Sequence, residues 1–250
     1  MLQLYEIVRK FIITIYFWLV VVMCNIVAII IIIPSWLVGL PAKQIRYQIE
    51  FLIGKITSVL MESLGIWTIT YIDNRKNNRV DDNQSYVIIS NHKSLIDTIF
   101  TAQISYDKVY TWKKKWSYVP GFGQLCLLGN HITIDTSNPN SKKNAVDVSV
   151  EFLEEGTSVM FYPEGTRNNT SDILLPFKTG AFRVAAKSNK KILPVTLVGT
   201  KNACNGFVCD AADIKIIIDD PIEVGTGPNK SISDCIEKIR SVMRVNINNY

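Results

Sequence analysis

Three observations predict an α/β domain with a largely parallel or mixed sheet, preceded by an N-terminal membrane-anchoring helical segment. Short apolar runs alternate with helical patterns over most of the chain, its chemistry-bearing residues follow those runs directly, and a long uncharged stretch lies near the start. Alternation of this kind favours parallel strands, whose C-terminal ends gather ligands.

The anchor comes first. From Phe11 to Ile33 there are 23 residues without a charge, which as a helix extend roughly 34 Å against a hydrocarbon core of about 30 Å. The run is too long for the apolar region of a cleaved signal, and no small-residue cleavage site follows it. It also accounts for a mean hydropathy of +0.16. Arg9 and Lys10 flank one end, Lys43 and Arg46 the other, so charge asymmetry does not orient it. Pro34, Gly39 and Pro41 should break the helix, which leaves a single span and a re-entrant hairpin both open. The anchor is assigned to residues 1–42.

Residues 43–65 form an amphipathic helix on the spacing of Ile45, Ile49, Leu52, Ile53, Ile56, Val59, Leu60 and Leu64. Its apolar stripe can lie on a protein core or on lipid, and the core is expected. Residues 66–250 then make the α/β domain. Strands are expected at Ile66–Ile72, Tyr86–Ser90, Val109–Trp112, His131–Asp135, Ser158–Tyr162, Ile192–Val198 and Ile214–Asp219. Helices are expected at Leu95–Gln103, Lys142–Glu155, Thr179–Ser188 and Ser231 to about Asn249.

A net charge of +5 beside a membrane anchor favours anionic lipid surfaces and phosphorylated substrates, and no aromatic-interleaved basic stripe argues for nucleic acid. The five cysteines (Cys24, Cys126, Cys204, Cys209 and Cys235) are dispersed without paired metal spacing. They receive no function, and Cys204 and Cys209 are expected as reduced structural thiols. No metal and no cofactor are expected.

Directly after the strand ending at Ser90 stands Asn91-His92-Lys93-Ser94-Leu95-Ile96-Asp97. Five residues separate His92 from Asp97, about 140° around a regular helix, so they cooperate only if His92 sits in the preceding turn with Ser94 capping the helix. An acid fixing one ring nitrogen leaves the other as a base near neutral pH. Ser94-x-x-Asp97 is equally a capping box, and capping alone accounts for Asp97. A second strand exit carries Phe161-Tyr162-Pro163-Glu164-Gly165-Thr166-Arg167. Arg167 supplies a forked permanent cation suited to phosphate, or else half of a surface Glu–Arg pair. Lys178, Arg183 and Lys187 add positive charge downstream.

Asn91-His92-x4-Asp97, Pro120-Gly-Phe-Gly123, Phe161 to Arg167 and Leu193-Pro194-Val195 resemble, in order, the four blocks of the glycerolipid acyltransferases, over about Ile66 to Val198. With Pro163 and Thr166, the third block is similar to that of the 1-acyl-sn-glycerol-3-phosphate acyltransferases. The resemblance implies O-acyl transfer from acyl-CoA or acyl-acyl carrier protein to lysophosphatidic acid, giving phosphatidic acid at the cytoplasmic face of a membrane. It implies His92 as general base, Asp97 as its orienter, Glu164, Gly165, Thr166 and Arg167 as the acceptor site, and Pro194 as part of a substrate pocket; Lys178 joins the binding residues. One departure stands out. Thr136 follows Gly129-Asn-His-Ile-Thr-Ile-Asp135 where the family usually has an arginine for the acceptor phosphate, so Lys113, Lys114, Lys115 or Lys178 must replace it or the acceptor head group differs. His131 is read as structural. An acyltransferase or CoA-independent transacylase acting on another lysophospholipid, and a non-catalytic membrane-anchored lipid-binding protein, are the alternatives, and the absence of a Gly-x-Ser-x-Gly elbow counts against a serine hydrolase.

Overall fold

A computed structural model describes residues 2–37, 42–76, 84–118, 129–224 and 231–250. Gly39, Pro41, the Pro120–Gly123 block and Cys126 lie outside these residues. The elements run α1 (Leu2–Leu37), α2 (Ala42–Ser63), β1 (Trp67–Asp73), β2 (Val87–Ser90), α3 (Asp97–Ala102), β3 (Lys108–Lys113) and a 3₁₀ turn (Lys114–Tyr118). They continue through β4 (Ile132–Ile134), α4 (Pro139–Glu154), β5 (Ser158–Phe161), α5 (Gly180–Ser188), β6 (Ile192–Val198), α6 (Thr200–Ala203), β7 (Cys204–Asn205), β8 (Val208–Cys209), β9 (Ala212–Ile218) and α7 (Ile232–Asn249). Every strand and helix expected between residues 66 and 250 is present within three residues at each end. The two-residue strands β7 and β8 were not expected.

The main sheet has the order β1-β9-β6-β2-β5-β3-β4. β2 pairs in parallel with β5 and with β6, and β3 pairs in parallel with β5 and β4. All four residues of β2 are buried, which is why Val87-Ile88-Ile89 reads as an unbroken apolar run rather than an alternation.

The chain divides into two compact units, each drawn from several segments: Met1–Thr70, Lys93–Ile104 and Leu197–Ile216 form one, and the remainder forms the other. In the second unit Val87, Ile89, Val159, Leu153, Phe182, Val184, Ile192, Ile239 and Met243 belong to one buried apolar cluster. Asn246, near the end of α7, donates from its side-chain amide to Thr196 and Asp219 (3.0 and 2.7 Å).

The first unit changes the reading of the N-terminal 65 residues. α1 carries the helix Gln3–Ile31, the one helix among the described residues long and apolar enough to cross a membrane. Its first half nevertheless packs on protein. Phe17 is fully buried with its ring 5.6 Å from Trp67, Trp18 donates to the carbonyl of Phe207 (2.8 Å), and Arg9 donates to Asp210 (2.9 Å). Contrary to expectation, the helix continues through Pro34 as far as Leu37, giving up the hydrogen bond that residue 34 would otherwise donate.

α2 is amphipathic as expected, but much of its predicted apolar stripe points away from the core. Leu52, Ile56, Val59 and Leu64 are exposed, while Gly54, Thr57, Ser58 and Met61 are buried. The reason is the tight fit to α3. A Cβ on Gly54 would lie 2.6 Å from the carbonyl oxygen of Ile99, and the Gln103 amide donates to the Ser58 hydroxyl (2.8 Å). The buried face is therefore chosen for smallness and hydrogen bonding, and the apolar side is left outward.

Candidate active site

β2 and β5 are parallel neighbours with Ile89 opposite Phe161. The His92 and Glu164 blocks, 72 residues apart in sequence, therefore leave the sheet side by side at the same end. The two blocks then bond to each other through backbone groups. The N–H of His92 donates to Glu164 Oε1 (2.8 Å), and its carbonyl accepts from the N–H of Asn168 (2.7 Å). The imidazole stacks on the Tyr162 ring, with centroids 4.2 Å apart and planes 20° from parallel. His92 is thereby fixed in backbone and ring.

Glu164 was expected to meet the acceptor. Its side chain is only 3% exposed, and its second oxygen, Oε2, accepts from the N–H of Leu175 (2.9 Å). The carboxylate is thus directed at two backbone amides, which makes it a brace between the His92 strand exit and the loop after the third block. Ionised acceptors make such bonds about twice as strong as neutral ones.

Gly165 closes a turn in which its N–H donates to the carbonyl of Tyr162 (2.9 Å). Its φ of +67° favours glycine, and a Cβ there would lie 2.5 Å from Lys178 Nζ. That close approach brings Lys178 onto the turn, fastened also by its own N–H to the carbonyl of Pro163 (2.8 Å). Thr166 is exposed and Arg167 half-buried, its guanidinium 6.0 Å from the centre of the Trp116 ring.

Lys113, at the end of β3, has its ammonium held below the usual lysine range, chiefly by partial burial and then by the charges of Lys178 and Lys115. Positive charge is therefore concentrated on the side of this unit that carries Gly165. Lys114 pairs instead with Asp135 (3.6 Å). Thr136 lies exposed on the turn after β4. Pro194 sits within β6, buried and level with Ile89 of β2, its carbonyl accepting from Asp219 (3.1 Å). Having no N–H, it leaves one ladder donor out of a central strand. His131 accepts from the N–H of Tyr110 through Nδ1 (3.2 Å), between the rings of Tyr110 and Trp112, a structural setting.

The chain passes from this unit to the first between His92 and Lys93. There Asp97 is fully buried, and its Oδ2 accepts from the N–H groups of Lys93 (2.8 Å) and Ser94 (2.9 Å). The expected capping geometry is corrected. α3 starts at Asp97 with Ile96 as N-cap, and the Ser94 hydroxyl donates to the carbonyl of Cys204 (2.5 Å). Asp97 does lie in the first turn and does reach back, gathering the two amides that follow His92. Asn168, Tyr162 and Trp116 were not singled out from the sequence. Tyr162 lies within the third block and Asn168 directly follows it, but only strand pairing shows what they touch. Among the described residues no group of three His, Cys, Asp or Glu side chains could hold a metal ion.

A largely parallel α/β sheet with a histidine and a Glu-Gly-Thr-Arg block at adjoining strand exits is the arrangement expected of an acyltransferase-type domain. The family model described as Acyltransferase matches residues 70–198, just over half of the chain, and the chain belongs to that family. Its similarity narrows further. It is 30% identical over 171 residues to the 1-acyl-sn-glycerol-3-phosphate acyltransferase of Escherichia coli, covering 66% of this chain and 69% of that one. It is 32% identical over 164 residues to the protein of that name from Cocos nucifera, covering 64% and 53%. The chain thus spans about half the length of the Cocos relative, and 40% of a chloroplastic one from Brassica napus that is 30% identical. Its fold matches the crystal structure of the 1-acyl-sn-glycerophosphate (LPA) acyltransferase PlsC from Thermotoga maritima, with a TM-score of 0.78 over 98% of this chain and 97% of that one at 16% identity.

Proposed function

We propose that the chain moves a fatty acyl group from acyl-CoA or acyl-acyl carrier protein to the free hydroxyl of 1-acyl-sn-glycerol-3-phosphate, giving phosphatidic acid. The observation that carries this reading is the pinning of His92, held at N–H, carbonyl and ring by the block that contains Glu164 and Arg167. A general base needs such fixed placement.

In the proposed reaction the acceptor hydroxyl gives its proton to the His92 imidazole as its oxygen attacks the thioester carbonyl. The tetrahedral intermediate collapses, the C–S bond breaks, and the carrier thiol leaves with a proton. Asp97 orients the base by fixing the two amides after it. Glu164 is a positioning residue, and Gly165 gives the turn that admits Lys178. Arg167, Lys178 and Lys113 hold the acceptor phosphate. The mutual repulsion of Lys113, Lys178 and Lys115 supports this assignment, since an anionic head group would relieve it. It also supplies cations where Thr136 replaces the usual arginine. Pro194 acts through the sheet, setting the ends of β6 and β2. Lipid surrounds the exposed apolar faces of α1 and α2, and the active domain faces the cytoplasm.

The test is a lipid-product assay with purified full-length protein, both thioester donors and a panel of lysophospholipids. Phosphatidic acid formed in preference to all other products, and abolished by His92→Ala, is expected. Equal use of acceptors lacking a phosphate monoester would sink the assignment.

A further inference from the structure

The short hairpin between α6 and β9 has no place in the proposed reaction, yet it carries two of the five cysteines. β7 and β8 are antiparallel, with Cys204 directly opposite Cys209 and Asn205 opposite Val208. Directly opposed residues in such a ladder have Cα atoms roughly 4.5–5.5 Å apart, inside the roughly 4.4–6.8 Å that a disulfide spans. The side chains use this placement. Cys209 Sγ donates to Cys204 Sγ at 3.1 Å, and Cys204 Sγ donates to the carbonyl of Gly206 at 3.5 Å. Both side chains are buried beneath a turn whose tip, Gly206 and Phe207, is exposed.

We propose that Cys204 and Cys209 are a peroxide-sensitive pair that closes into a reversible disulfide. The Cys204 sulfur attacks one oxygen of a hydroperoxide, the O–O bond breaks, and the other oxygen leaves as hydroxide that takes up the Cys204 proton. Cys209 sulfur then attacks the resulting sulfenic acid, the S–O bond breaks, and hydroxide leaves with the Cys209 proton as a second water. With hydrogen peroxide, two thiols and one peroxide give one disulfide and two waters, the sulfurs losing the two electrons that the peroxide gains. The order of attack follows from the geometry. Cys209 is the donor in the thiol–thiol contact, its proton directed at the Cys204 sulfur, and its bond to Cys204, then its burial, hold its thiol above the usual range.

Bond formation brings the sulfurs from 3.1 Å to about 2.05 Å, a displacement the hairpin can absorb. It covalently fixes a hairpin that is attached on several sides. The Cys204 carbonyl accepts from Ser94, two residues beyond His92, the Cys209 N–H donates to Thr14 of α1 (3.0 Å), and the Phe207 carbonyl accepts from Trp18 (2.8 Å).

Full-length protein in detergent is titrated with hydrogen peroxide, alkylated, digested and weighed. The expected result is a fragment carrying residues 204–209 that is two hydrogens lighter, is not alkylated, and recovers two alkylatable thiols after a dithiol reductant. Cys24 and Cys235 remain alkylated. Cys209→Ser lacks the resolving thiol and should accumulate a sulfenic acid on Cys204 that a cyclic dione traps. Undiminished alkylation of both residues after peroxide, or bonds to Cys24 or Cys235 at the same rate, overturns the proposal.

Discussion

His92, the proposed base, is held at three points. Its N–H, carbonyl and ring each have a partner within a few residues of Glu164, so His92→Ala should lower kcat/KM by about 10²- to 10⁴-fold while far-UV circular dichroism and Tm stay close to the parent. Glu164 gives a sharper test. Glu164→Gln retains size and one oxygen acceptor but removes the charge from both amide bonds, costing about 1–3 kcal/mol of stability. As a positioning residue it should lower kcat while leaving the acceptor KM within about two-fold, whereas Arg167→Ala should raise the acceptor KM and spare the donor KM. A rise in acceptor KM for Glu164→Gln would return that carboxylate to the binding site. These roles differ in how far the sequence discloses them. The placement of His92 and Asp97 is legible because five residues and a strand exit define it. The inward turn of Glu164 is not, because the His92 amide comes to it through the parallel pairing of β2 with β5 and the Leu175 amide through the fold of the loop after the third block. The same pairing hides the stacking of Tyr162.

Elements were legible where periodicity and burial coincide. β2, β5 and β6 are apolar runs buried on both faces, and α5 and α7 each bury one stripe, so their positions follow from hydrophobic pattern alone. α2 departs from that rule. Its helical period is plain, but the pattern cannot say that the apolar stripe faces outward, because Gly54 and Ser58 take the inner side by size and hydrogen bonding. That reading predicts that Gly54→Ala, ordinarily favourable within a helix, is destabilising here. The added Cβ meets the Ile99 carbonyl at 2.6 Å and must push α2 from α3, costing about 1–3 kcal/mol as other overpacked sites do. Because α3 begins at Asp97, turnover per folded molecule should also drop. Chemical denaturation and kinetics on one sample check both, and a stabilised, fully active Gly54→Ala would show that α2 and α3 are not closely packed.

At the scale of the whole molecule, α1 joins a packing task that its contacts show to the anchoring task proposed for it, and sequence merges the two. Uncharged length alone suggests an anchor that could be cut away to leave an intact domain. Within its unit, however, the first half of α1 covers Trp67 through Phe17, donates to Phe207 through Trp18 and pairs Arg9 and Lys10 with Asp210. Burial works against ionisation, but the N–H of Ala211, then the Lys10 ammonium and the Arg9 guanidinium, together outweigh it and hold the Asp210 carboxyl below its usual range. A carboxylate with a depressed folded pKa adds stability above its unfolded value, and that stability is lost as pH falls through the folded one. Docking of α1 should therefore weaken on acidification below the ordinary carboxylate range and be indifferent to mild alkali. Two truncations separate the tasks. Removing residues 19–33, with residues 2–18 rejoined by a flexible linker, should release the protein from membranes on carbonate extraction and lower Tm only by what the contacts of Cys24 and Ala28 supply. Removing residues 2–33 should also release it, but with Trp67 uncovered it should melt several degrees lower and show red-shifted tryptophan emission. Equal Tm for the two truncated proteins would mean that the contacts of Phe17, Trp18 and Arg9 contribute nothing to the fold, and that α1 is an anchor alone.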